Sequence, residues 1–153
     1  MGKVLQVVNY QTGTYASGTT ITPFDNTIPQ ITEGNEFMTL SITPTSATSR
    51  LKIEVTNVIG AVFSTAGTHL ITALFVGTTA NALATVFTRL PNTNYVQLHS
   101  FSHNMVAGVT TELTFRVRGG QNLAGTTEIN GQASAGKFGG TSASSITITE
   151  YEV

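Results

Sequence analysis

Cysteine and tryptophan are both absent from the 153 residues. Without cysteine the chain has no disulfide framework, no thiolate nucleophile and no Cys-ligated zinc. Charge is scarce as well: seven Lys and Arg against eight Asp and Glu leave a net charge of -1, and charged residues make up 10% of the chain, where soluble domains average about 25%. That balance excludes the basic footprint of a nucleic-acid binder and a polybasic membrane patch. Long apolar runs are missing too. The densest, Val58 to Phe63, is interrupted by Gly60 and falls far short of the about 18 residues needed to span a bilayer, so membrane insertion is not expected. The N-terminus, Met1 to Gln6, lacks a signal peptide's apolar core and places Gln6 where a myristoylation site needs Ser or Thr. It reads as the start of folded structure.

In place of charge the chain carries small neutral polar side chains: 28 Thr, 11 Ser, 10 Asn and 6 Gln. Such a composition is rich in β-branched Thr and poor in helix formers, which favours sheet. Apolar residues recur at alternate positions, the mark of strands with one buried face. Met38, Leu40 and Ile42 alternate with Thr39, Ser41 and Thr43; Leu51, Ile53 and Val55 with Lys52, Glu54 and Thr56; Leu113, Phe115 and Val117 with Thr114, Arg116 and Arg118. An opening strand runs from Lys3 to Asn9, and a final one carries Ile146 and Ile148 inward. Turn residues punctuate these runs at short intervals, and Gly119 to Gly140 reads as glycine-flanked hairpins around a short strand at Thr126 to Ile129. The pattern predicts one domain over residues 1–153, all-β, a two-sheet antiparallel sandwich of jelly-roll type with about 8 to 10 strands.

His69 to Val76 differs in carrying apolar residues on both alternating sets. Such a strand is covered on two sides, by the partner sheet and by either a neighbouring subunit or a long loop. Asn81 to Phe87 and Tyr95 to Val106 are similarly mixed. On the subunit reading, the interface candidates are His69, Ile71, Phe75, His99, Phe101 and His103. His99 and His103 share a strand face but lie about 13 Å apart at that spacing, too far for one zinc unless a symmetry axis gathers equivalent histidines.

Chemical motifs fail in detail. Gly131-Gln-Ala-Ser-Ala-Gly136-Lys137-Phe138 matches a phosphate-binding loop up to its last position, where Phe138 replaces the magnesium-binding Ser or Thr. Gly140-Thr-Ser142-Ala-Ser144 lacks the last glycine of a nucleophile elbow. Asp25 is the single aspartate and the seven glutamates are scattered, so neither paired-carboxylate catalysis nor a one-loop calcium cage is indicated. No N-glycosylation sequon occurs. The expectation is a non-enzymatic protein with no cofactor and no resident metal. Tyr95, beside the polar loop Asn92-Thr93-Asn94, is the candidate carbohydrate contact with Asn92 and Asn94, because a phenol ring offers an apolar face and a hydrogen-bonding rim.

Three segments, Gly2-Lys-Val-Leu-Gln-Val-Val8, Ile42-Thr-Pro-Thr-Ser-Ala-Thr-Ser-Arg-Leu-Lys-Ile53 and Ala143-Ser-Ser-Ile-Thr-Ile-Thr-Glu150, resemble in their order a β-sandwich module of tailed-bacteriophage virion surface proteins, which includes fibre-tip domains. The resemblance runs from Gly2 to Val153. It implies a structural protein at the virion surface, a homotrimeric jelly roll with no catalytic residues to carry over. The fibre pattern's N-terminal anchor and shaft are missing from this sequence, which turns the expectation toward a capsid decoration (cement) protein partnered by the major capsid protein or another virion protein. The alternative is a tail-fibre tip that binds a host-surface glycan.

Overall fold

The computed structural model describes residues 2–63 and 65–153. The strands are β1 (Val4–Thr12), β2 (Ala16–Gly18), β3 (Asn35–Ile42), β4 (Arg50–Phe63), β5 (His69–Val76), β6 (Ala84–Arg89), β7 (Tyr95–Val106), β8 (Leu113–Gln121), β9 (Gly125–Ile129), β10 (Gly131–Gln132), β11 (Ala135–Gly136) and β12 (Ser144–Tyr151), with a 3-10 turn at Phe138–Gly140. Eight are long enough to build the sandwich. Their pairing is nested: β1 with β12, β3 with β8, β4 with β7 and β5 with β6, all antiparallel. The chain is thus one doubled-over ribbon rolled into two sheets, ordered β1-β12-β4-β7 and β3-β8-β5-β6, which is the jelly-roll arrangement. The short β9 continues the first sheet beside the far half of β4, and β2 lies on its edge.

Alternation decides which side chains enter. Leu51, Ile53, Val55, Ile146 and Ile148 from the first sheet meet Met38, Ile42, Leu74, Phe115 and Val117 from the second, in a core cluster whose members are at most 5% exposed. A smaller cluster of Ile59, Ala61, Leu70, Leu90 and Ile129 fills the other end. Between the two lies a buried polar chain. Asn57 Nδ2 donates to Thr72 Oγ1 at 3.2 Å, Thr72 Oγ1 is 2.8 Å from His99 Nδ1, and His99 Nε2 is 3.0 Å from Thr88 Oγ1. The network ties β4, β5, β6 and β7 together across the sandwich, with each imidazole nitrogen satisfied by a hydroxyl.

The two-sided apolarity of β5 has its explanation within the chain. Residues 19–34, between β2 and β3, lie against the outer side of the second sheet. Thr22 N–H donates to Gln121 O, Ile31 N–H to Ala80 O and Ala82 N–H to Pro29 O, while Arg118 donates from Nε to Glu33 O and from a terminal nitrogen to Gly34 O. Phe24 stacks flat on His69, ring centroids 3.8 Å apart at 8°. The outward β5 residues Ile71, Ala73 and Phe75 are no more than 3% exposed. The long-loop alternative therefore accounts for their burial, and Ile71 and Phe75 leave no surface for a partner to cover.

Candidate functional site

Among the described residues, the first sheet's outer face has no such cover over β1, β12, β4 and β7. Since Leu51, Ile53 and Val55 point inward, their neighbours in register define the opposite face row by row. Val4, Tyr151, Arg50 and Val106 form one row; Val7, Thr149, Lys52 and Asn104 the next; then Asn9, Thr147, Glu54 and Ser102; then Gln11, Ser145, Thr56 and Ser100. Val4, Val7 and Val106 are about half exposed. Lys52 and Glu54 neutralise each other at 2.8 Å, and among the described residues Arg50 is the remaining charge in these four rows without an ion pair. With strands about 4.8 Å apart and rows about 6.7 Å apart, the face covers roughly 500 Å2 of short hydroxyls, amides and valines. Beside its first row, Gly2, Arg50, Asn104, Tyr151, Glu152 and Val153 line a shallow hollow of about 280 Å3.

One end of this face is fixed by a buried carboxylate. Glu150, with no exposed surface, accepts from Ser49 Oγ at 2.5 Å, Thr45 N at 2.8 Å and Thr45 Oγ1 at 3.0 Å on one oxygen, and from Gln6 Nε2 at 2.6 Å on the other. Burial alone would raise its pKa; the hydrogen bonds from Ser49, Gln6 and Thr45 outweigh it and hold the group down to about 2. The charged form is the structural one, and it pins the β3–β4 turn and β1 to β12.

At the opposite end, the β6–β7 turn and the segment from Asn130 to Ser142 come together. Asn92, Asn94 and Tyr95 lie here as the sequence placed them, but Tyr95 pairs with inward Ala61 and so projects to the other side of β7 from Val96. Thr93 Oγ1 accepts from Phe63 N–H, and Asn94 N–H donates to Ala61 O, so this turn is fastened to β4. Gln132 Nε2 donates to Asn94 O at 2.8 Å, which brings the glycine-rich hairpin beside the three candidate residues. The near-match to a phosphate loop is this hairpin followed by the 3-10 turn, with Phe138 83% exposed.

The histidines occupy three separate settings. His99 is 4% exposed inside the core network, and burial lowers its pKa to about 4. His103, half-buried farther along the same side of β7, is lowered for the same reason; Phe101, between them, packs partly buried against the main core cluster. His69 lies beneath Phe24. Among the described residues, no three His, Cys, Asp or Glu side chains gather as a metal site, and no helix is long and apolar enough to cross a membrane. The bare face escaped the sequence reading because its members are the polar half of each alternation; naming the outward residues strand by strand would have exposed the signal, but only the strand order brings them side by side.

No protein-family model and no curated protein matches the chain. Solved structures with a similar course of strands include the infectious bursal disease virus VP2 subviral particle, 12% identical with a TM-score of 0.46, covering 97% of this chain and 34% of that one. Dimeric latent PorU from Porphyromonas gingivalis is 10% identical with a TM-score of 0.42, covering 99% of this chain and 14% of that one. A structure of the Gx strain of infectious bursal disease virus is 14% identical with a TM-score of 0.39, covering 97% and 38%. The chain spans from 14% to 38% of the length of these three structures.

Proposed function

We propose that this chain is a non-enzymatic structural module of a virion surface, a decoration protein that sits as a homotrimer on the shell of a tailed bacteriophage and attaches through the bare face of its first sheet. The observation that carries the reading is the asymmetry between the two outer faces: the chain's own 19–34 loop lies against one, while four neighbouring strands of the other stand bare. That bare face is nearly neutral, hydroxyl-rich and dotted with half-exposed valines, a composition suited to a shell partner of matching neutrality. Roughly 500 Å2 per subunit is less than the about 800 Å2 per partner of a standard interface, so one copy would hold weakly and three linked copies strongly.

Rebinding to shells stripped of the protein tests this. The double substitution Val7→Lys with Val106→Lys should abolish rebinding while leaving the thermal transition unchanged, and wild-type binding should persist as salt is raised, since few charges contribute. Many copies per shell and added heat resistance of the loaded shell are expected. A handful of copies confined to the tail, with rebinding insensitive to the double substitution, would replace this reading with host attachment, which has its own support in the loop end of the sandwich.

A further inference from the structure

Every non-glycine residue with positive φ among the described residues lies at that loop end: Asn94 at 61°, Asn130 at 57°, Ala133 at 55°, Ser134 at 62° and Phe138 at 54°. Asparagine tolerates this region; Ala, Ser and Phe are strained there, and such strain gathers where a surface must present fixed groups. Its origin is local. Gln132 pairs with Ala135, so Ala133 and Ser134 form a two-residue hairpin turn whose sign of φ normally calls for Asn-Gly. Ser134 N–H donates to the buried Glu128 at 3.0 Å, and Tyr15 OH lies 3.3 Å from the same oxygen. The hairpin is thereby held down on the sheet, and the chain then turns through Phe138, Gly139 and Gly140, all at positive φ.

Between this segment and the sheet lies a hollow of about 250 Å3. Val58, Val96 and Phe138 supply apolar lining, and Gln132, Lys137 and Ser142 supply polar groups. Gln132 donates from its amide nitrogen to Asn94 O, and among the described residues its amide oxygen takes no hydrogen bond. Lys137 forms no ion pair among the described residues. An exposed aromatic ring, a hydrogen-bonding amide and hydroxyl, and one uncompensated cation within a shallow cavity match a sugar ring that carries a carboxylate. Such a ring would pack its C–H face on Phe138, its hydroxyls would reach Gln132 and Ser142, and its carboxylate would reach Lys137.

We propose that this hollow is a binding site for an acidic saccharide of the uronate type, on the side of β7 opposite Tyr95. The hollow lies on the same outer side of the sheet as the attachment face, starting at Val58, the next outward residue of β4 after Thr56, and the proposal stands whichever part of a virion carries the chain.

Titration of the full chain with an oligogalacturonate, followed by backbone amide shifts, is the test, with a neutral glucose oligomer of the same length as control. The acidic oligomer should shift Val96, Gln132, Lys137 and Phe138 and leave Val7 and Val106 unmoved. Lys137→Gln should weaken acidic binding at least about fivefold and erase its advantage over the neutral control, and Phe138→Ala should weaken both by about tenfold or more. Tyr95→Ala should change neither. Phe138 and Lys137 are solvent-exposed, so loss of folding would not confuse the result, and an unchanged thermal transition verifies it. Equal binding of the two oligomers, no shifts at millimolar concentration, or a Tyr95→Ala loss matching that of Phe138→Ala would each overturn the proposal. So would loss of shell rebinding in Phe138→Ala without any saccharide response, which would assign the hollow to a protein contact.

Discussion

Thr72 and His99, on strands of opposite sheets, share a 2.8 Å contact between hydroxyl and imidazole in the middle of the core. The groups that meet this imidazole, Thr72 and Thr88, and Asn57 behind Thr72, are all neutral, so nothing there rewards a proton. An unfolded chain takes one up near pH 6.5 and the folded chain only near 4. Between those values the unfolded state binds more protons, so stability present above pH 6.5 is lost progressively as pH falls through 4. The full loss is about 3 kcal/mol. Urea midpoints measured from pH 7 to 4 should fall accordingly, with His103 adding in the same direction, and His99→Gln should flatten most of the slope. A wild-type midpoint constant over that range refutes this.

Glu150 acts over a lower window. Its folded pKa of about 2 lies below the ordinary 4.5, so its contribution is complete above pH 4.5 and disappears as pH falls toward 2. Glu150→Gln should destabilise by about 2 kcal/mol or more at neutral pH, because an amide cannot accept from both Ser49 and Gln6 and leaves one donor facing its NH2. Denaturant titration at pH 7 measures it, and a variant as stable as wild type would show the carboxylate to be dispensable.

Core truncations separate inward from outward positions. Ile53→Ala and Phe115→Ala, both at residues with no exposed surface, should each destabilise by roughly 2 to 5 kcal/mol. Glu54→Ala removes only an exposed pairing with Lys52 and should stay within about 0.5 kcal/mol. Similar costs at positions 53 and 54 would contradict the assignment of the bare face.

Phe138→Gly should raise stability by about 1 kcal/mol, since glycine takes φ of 54° without the penalty a side chain incurs there. The same substitution should remove saccharide binding. Stability gained with function lost is the outcome that distinguishes strain serving a site from an inert loop, and thermal melts alongside the saccharide titration read both.

The strands were legible because their patterns are local: Met38 to Ile42, Leu51 to Thr56 and Leu113 to Arg118 alternate as strands β3, β4 and β8 do, and even the mixed runs His69 to Val76 and Tyr95 to Val106 begin and end where composition placed them. What covers a strand is not local. Ile71 and Phe75 looked the same under a subunit or a loop, and only the folded position of Phe24 and Pro29 decides between them. Gly131 to Phe138 drew notice for its glycines, whereas its unusual backbone belongs to Ala133, Ser134 and Phe138, residue types that advertise no turn. Tyr95, Asn92 and Asn94 were read as a polar loop beside an aromatic ring, and the structure keeps them adjacent at the β6–β7 turn; a one-residue step along β7 puts Tyr95 and Val96 on opposite sides, and the hollow lies on the side of Val96.

Nested pairing also sets the order in which the protein is able to fold during synthesis. Of the nested pairs, β5 and β6 are the closest in sequence and can close earliest, whereas β1, made before the strands it must join, waits for β12, with Val4 finding its partner only at Tyr151. Long-range closure of this kind is slow and leaves strand edges unpaired meanwhile. A chain interrupted before residue 144 would release β1 with no partner and β4 with one edge of its N-terminal half open, both primed for pairing with other chains. Such a product would aggregate and not merely lose activity, which makes the integrity of the last eight-residue strand the condition for producing soluble protein at all.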